Sequence, residues 1–156
     1  MTIAKKLKAY LDNAGVRYET VAHSRTSTAS ENAQSVHVPG DCVAKTVVIH
    51  HEAGYVLAVV PSSHRVDLTE LQGMLDRRLG LANENDIETL FDDCETGAAT
   101  PIGAAYGVQT VIDTRLTERD EVWFEGGDHR TLVQVTGPES DRLMKDAMRG
   151  EISYHM

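Results

Sequence analysis

Cysteine occurs twice in 156 residues, at Cys42 and Cys94. Two thiols are too few for a disulfide framework, which predicts reduced side chains in a reducing compartment. No run of about 18 apolar residues is present to span a membrane, and the residues after the basic start Lys5, Lys6 and Lys8 alternate polar and apolar instead of forming the block of a secretory signal. These absences predict a soluble, cytoplasmic protein. Lysine is scarce as well: apart from those three and Lys145, the chain has Lys45 alone. With a net charge of −9, this excludes a grip on nucleic acid by blanket phosphate neutralisation, which needs clustered cations. A small local contact remains compatible. Gly-x-x-x-x-Gly-Lys-Ser/Thr and Gly-x-Gly-x-x-Gly are both missing, so nucleotide hydrolysis and dinucleotide binding lose support. There is no Gly-x-Ser-x-Gly elbow to present a nucleophile. No His or Cys pair has zinc-ligand spacing, and adjacent His50 and His51 would point to opposite faces of a strand.

What is there reads as one mixed α/β domain spanning 1–156, with about six strands, four helices and a largely antiparallel or mixed sheet. Thr2 can cap a helix whose apolar positions Ile3, Leu7, Tyr10, Leu11 and Ala14 follow the 3.6 period to Gly15. Val16 to Val21 suits a short strand, and Thr28-Ala-Ser-Glu31 has the spacing of a capping box for a helix reaching about Val36. Val43 to His50 and Tyr55 to Val60 read as an antiparallel hairpin. Asp67-Leu-Thr-Glu70 opens a helix with Leu68, Leu71, Leu75 and Leu79 on one face and Gly80 as its stop. A further short helix is expected within Asn83 to Phe91, a strand over Val108 to Asp113, a hairpin over Glu121 to Glu125 and Thr131 to Thr136, and a closing helix from Gly137-Pro138.

The stretch from Asp93 to Gly107 is too long for a tight turn and too poor in large apolar side chains for core. Its three glycines, four alanines and Pro101 make a loop both bare and stiffened, suited to recognition through the backbone. Lys45 shares a strand face with Val43, Val47 and Ile49, so its ammonium must either reach an edge or be paired in a pocket. His23 precedes a hydroxyl-rich run of Ser24, Thr26, Ser27 and Thr28, and His129 stands just past a hairpin turn. Amides of a Gly/Ala loop can stabilise the oxyanion formed when water attacks an ester, where one such donor is worth about 3 kcal/mol. The acidic run Glu84 to Glu95 reads as a solvated face.

Taken together, His23 with Thr28 and Ala33, Ala44-Lys45-Thr46 before an apolar strand, Asp67 with its leucine helix, Gly97-Ala-Ala-Thr-Pro101 with Gly103, Val111-Ile-Asp113 and Gly126-Gly-Asp-His129 resemble the YbaK / prolyl-tRNA synthetase-associated domain family, over nearly the whole chain. The combination of a strand lysine and a Gly-x-x-x-Pro loop carries the resemblance. It implies a barrel-like sheet flanked by helices and a free-standing aminoacyl-tRNA deacylase without cofactor or metal. Lys45, Gly97 and Pro101 would be catalytic. His23, Thr28, Thr46, Ala98, Ala99, Thr100, Gly103 and His129 would bind substrate. The implied partner is the aminoacyl-tRNA acceptor end, with a synthetase as a second partner and no role for DNA or membrane. Asp92-Asp-Cys94-Glu-Thr before the glycine is a local variant, which leaves the edited amino acid open. Two alternatives stand beside this reading: a non-catalytic module of the same fold that binds acceptor ends or a synthetase, and a small-ester or thioester hydrolase using Cys94.

Overall fold

The computed structural model describes residues 3–26 and 28–156; Thr2, the expected cap, and Ser27 lie outside them. The chain opens with α1 (Lys5–Ala14), whose N-cap position is Ala4 and whose C-cap Gly15 is left-handed at φ 67°. Leu7 and Leu11, one turn apart, are fully buried from this helix. β1 (Glu19–Ala22) follows, then α2 (Ala29–Ser35), where the Thr28 side chain accepts from the Glu31 N–H as the capping spacing requires. The hairpin is β2 (Ala44–His51) and β3 (Gly54–Pro61), antiparallel along its full length. β4 (His64–Val66) leads to α3 (Leu68–Leu75), capped by Asp67. This helix ends at left-handed Asp76, and Gly80 lies instead in β5 (Gly80–Leu81). Then come α4 (Glu84–Leu90), capped by Asn83, β6 (Gln109–Asp113), α5 (Thr114–Thr117), β7 (Glu121–Glu125) and β8 (Thr131–Thr136). The chain finishes with α6 (Gly137–Leu143), β9 (Met148–Gly150) and β10 (Ser153–His155).

The ten strands among the described residues, against about six expected, reflect segments of two or three residues too short to carry an alternating pattern. Five strands form a mixed sheet in the order β5-β2-β3-β6-β9, with β3, β6 and β9 mutually parallel. β1-β8-β7 make an antiparallel sheet, and β4 pairs with β10 in a two-stranded one. The expected barrel-like closure is not found. Among the described residues the two larger sheets meet through a single bridge, Val43 to Trp123, and beyond it the edge of β2 is open until β5 pairs at Ile49 and His50. The two faces of β2 and β3 are both covered. Ala44, Val48, Leu57 and Val59 join a core with α1, Phe91, Phe124 and Leu143, while Ile49, Val56, Ala58 and Val60 pack with Leu71 and Ile152. Burial on both faces explains why β3 reads as an unbroken apolar run. Among the described residues no helix is long and apolar enough to cross a membrane.

Candidate active site

The open edge of β2 forms one wall of a cavity of about 270 Å³. Ala44, Lys45, Thr46 and Val48 come from β2, Thr28, Ala29 and Asn32 from the start of α2, Glu84 and Ile87 from α4, Gly97 and Ala99 from the small-residue loop, and Glu125 and His129 from the end of β7 and the turn after it. Gaps left by incomplete sheet closure are where a ligand can approach backbone. A larger surface groove of about 1020 Å³ lies elsewhere, along Arg17 to Glu19 and Glu118 to Glu121. It is wide and carries acids and arginines side by side, but none of the loop, the strand lysine or the histidines.

The loop is fastened at both ends. At its base the Tyr106 hydroxyl donates to Asp93 Oδ1 at 2.6 Å, the Lys6 N–H donates to Asp93 Oδ2 at 2.8 Å, and the rings of Phe91 and Tyr106 lie 4.6 Å apart. Burial alone would raise the Asp93 pKa; these donors outweigh it and hold the carboxyl below its ordinary value. Near the cavity the Glu95 N–H donates to the Gly127 carbonyl, and His129 Nε2 lies 2.6 Å from the Thr96 carbonyl. A carbonyl can only accept, so Nε2 carries the proton. His129 is itself held in a left-handed conformation, φ 61°. Gly97 needs its glycine: φ is +81°, and an added Cβ would sit 3.5 Å from the His129 ring.

Along the loop, burial alternates. Ala98 and Thr100 are buried while Gly97 and Ala99 face outward and line the cavity. The Ala98 N–H is spent on the Glu95 carbonyl, but among the described residues the N–H groups of Gly97 and Ala99 enter no backbone hydrogen bond. Unspent amides of this kind can donate to an oxyanion.

Lys45 is half-buried and lines the cavity with Ala44, Thr46 and Val48. Its ammonium donates to the His64 carbonyl on β4 and, among the described residues, to no carboxylate. Loss of water around the ammonium, with Arg65 nearby, lowers its pKa from the ordinary lysine value. Of the residues expected at the site, Thr28, Lys45, Thr46, Gly97, Ala99 and His129 share the cavity. His23, Ala98, Thr100, Pro101 and Gly103 do not line it. The His23 N–H donates to the Arg130 carbonyl, which sets it beside the His129 turn, and its ring Nε2 is buried without a partner among the described residues. Gly103 is a packing glycine: a Cβ there would lie 2.1 Å from Thr110 Oγ1 and 2.6 Å from the Val108 carbonyl.

Cys94 lies against the turn at Gly127 and contacts Asp93 and Tyr106. Burial pushes its thiol up to about 12, so it holds no thiolate near neutrality, and the hydrolase reading through Cys94 loses its nucleophile. Sequence reasoning missed Asn32 and Glu125. The signal available was an acid closing the apolar run Val122-Trp-Phe124 immediately before Gly126-Gly127.

A mixed α/β fold with an open-edged strand, a backbone-walled cavity and a half-buried strand lysine places the chain in a known class. The family described as aminoacyl-tRNA editing domain matches residues 23–143, and the chain belongs to that family. It is 31% identical over 115 residues to the proline–tRNA ligase of Xanthomonas oryzae pv. oryzae strain MAFF 311018, covering 72% of this chain. It is 32% identical over 98 residues, 61% of this chain, to that of Xanthomonas axonopodis pv. citri strain 306. The chain spans 20% and 17% of the length of these two relatives. A solved structure described as a candidate trans-editing enzyme for prolyl tRNA synthetase superposes with a TM-score of 0.84 at 25% identity, over 96% of both chains. Another, described as hypothetical protein APE2540, gives 0.85 at 20% identity over 96% of this chain and 100% of that one, a likeness of fold.

Proposed function

We propose that this chain is a trans-editing hydrolase that deacylates mischarged tRNA. Water adds to the ester carbonyl that joins a wrongly attached amino acid to the terminal adenosine. The tetrahedral oxyanion then collapses, the ribose oxygen leaves with a proton, and free amino acid and tRNA are released. The observation that carries this reading is the pair of unspent amides at Gly97 and Ala99, in a cavity whose opposite wall is β2 with Lys45 and Thr46. Two amide donors supply electrostatic stabilisation without a protein nucleophile. An ester with a good alcohol leaving group suits such a site. Lys45, held by the His64 carbonyl, serves to orient or neutralise the acceptor end once substrate arrives, while Pro101 and the buried Ala98 and Thr100 stiffen the loop. His129 keeps the loop in register through Thr96, and Thr28 and Thr46, which line the cavity, contact the acyl-adenosine.

The partners on this reading are the tRNA acceptor end and a synthetase. A net charge of −9 fits a short contact at the acceptor end better than a wide grip on the tRNA body. Deacylation of Ala-, Ser- and Cys-tRNA(Pro) tests it. Turnover above buffer in at least one case, lost in Lys45→Ala, is expected. Binding of tRNA or synthetase without any turnover would assign a non-catalytic module instead, and full activity in Lys45→Ala would remove the lysine from the mechanism.

A further inference from the structure

Glu125 is an anomaly in the cavity. It closes β7, is 9% exposed, and lines the same space as Gly97 and Ala99. Its Oε2 is occupied, accepting from the Gly127 N–H at 2.9 Å and the His129 N–H at 3.2 Å. Among the described residues its Oε1 has only a long contact, 3.5 Å, from Asn32 Nδ2. No lysine, arginine or histidine of the described residues forms an ion pair with it. A carboxylate taken out of water without a counter-charge is costly, and such groups are kept where a cation completes them. The rest of the lining does not supply that cation. It holds one ammonium, Lys45, which is committed to the His64 carbonyl, and a second acid, Glu84, at the rim.

We propose that Glu125 is the subsite for the α-ammonium group of the aminoacyl ester, with Asn32 as its neighbour on α2. This rests on the deacylase reading above and adds to it. The same carboxylate ties down the Gly127 and His129 amides, and His129 in turn holds Thr96, so a cation on Oε1 is placed in register with the Gly97–Ala99 amides. The ester carbonyl, attached to the carbon that bears the ammonium, is thereby brought to the loop. Esters lacking the cation lose this placement.

The test compares alanyl-tRNA(Pro) with lactyl-tRNA(Pro), in which a hydroxyl replaces the amine. Wild-type protein is expected to favour the alanyl ester by about 10- to 100-fold in kcat/KM, the range of one charge-assisted hydrogen bond. In Glu125→Gln the carboxamide oxygen can still accept from Gly127 and His129. In that variant the ratio of alanyl to lactyl kcat/KM is expected to collapse towards one, a change that a purely structural role, which lowers both rates alike, would not produce. Equal wild-type rates on the two esters, or an unchanged preference in Glu125→Gln, would overturn the proposal; the wild-type comparison stands even where the variant does not fold. Should wild type deacylate neither ester, amide shifts at Gly127 and His129 on adding L-alaninamide against L-lactamide decide the subsite, and the deacylase reading itself fails only where Ser- and Cys-tRNA(Pro) are also left intact. Shifts with the amine alone support it, and shifts with neither or with both equally refute it.

Discussion

Replacing Gly97 by alanine separates what the loop's backbone does for stability from what it does for chemistry. At φ +81° an alanine is in the left-handed region, which costs about 1–2 kcal/mol for a residue bearing a Cβ. The contact at 3.5 Å from the His129 ring is ordinary van der Waals distance, so sterics add little to that figure. Gly107 provides the control: its φ is +69° and nothing lies within 4 Å of an added Cβ. Chemical denaturation should therefore show similar losses for Gly97→Ala and Gly107→Ala, about 1–2 kcal/mol each. Activity should not follow stability. If Gly97→Ala relieves its strain by turning the peptide, one oxyanion donor is lost, a penalty of about 3 kcal/mol or roughly 100-fold in rate. Single-turnover deacylation under conditions where both variants are fully folded measures this. Gly107→Ala should run at the wild-type rate and Gly97→Ala at about one hundredth of it. Equal wild-type rates for both would refute the role given to the loop amides.

Three further outcomes are expected. Gly103→Ala, whose Cβ would meet Thr110 Oγ1 at 2.1 Å and the Val108 carbonyl at 2.6 Å, should destabilise by about 3 kcal/mol or more through overpacking, read as a drop in Tm; an unchanged Tm would contradict the packing described. Cys94→Ser should deacylate normally, and Cys94 in the folded protein should resist iodoacetamide near neutral pH, because burial keeps the thiol protonated with a pKa of about 12. His64 is buried, and burial first, then Arg115 and His155, lower its pKa below the ordinary 6.5. The unfolded chain therefore takes up a proton first as pH falls through 6.5, so the unfolding free energy declines from there down to the folded-state pKa and then levels. Replacing His64 with Gln should flatten that part of the stability profile measured by urea titration.

Much of the local structure was legible because it is decided within a few residues. Thr28 and Asp67 cap helices three residues before Glu31 and Glu70, and the β-branched run after Val43 pairs with the next apolar run across a short turn. Legibility ended where partners are distant. Gly80 looked like a helix stop, yet Asp76 ends α3 first by adopting the left-handed conformation itself. Gly103 looked like part of a substrate loop, but Thr110 and Val108 claim the space that its missing side chain leaves. Lys45 was marked by its isolation in the sequence, whereas its actual acceptor, the His64 carbonyl, lies on β4, a three-residue strand with no readable pattern.

The amino-acid sequence by itself determined the pieces of the site: a lysine on an apolar strand, a small-residue loop stiffened by Pro101, and a histidine after a glycine pair. It did so because backbone freedom, capping and side-chain periodicity are properties of neighbouring residues. Tertiary structure alone decided that the sheets stop short of closing beyond the Val43–Trp123 bridge, that the gap becomes a cavity, and that Glu125 and Asn32 are buried in its wall. Those outcomes depend on the pairing of strands about 80 residues apart, and no local pattern encodes which polar groups such pairing leaves facing one another.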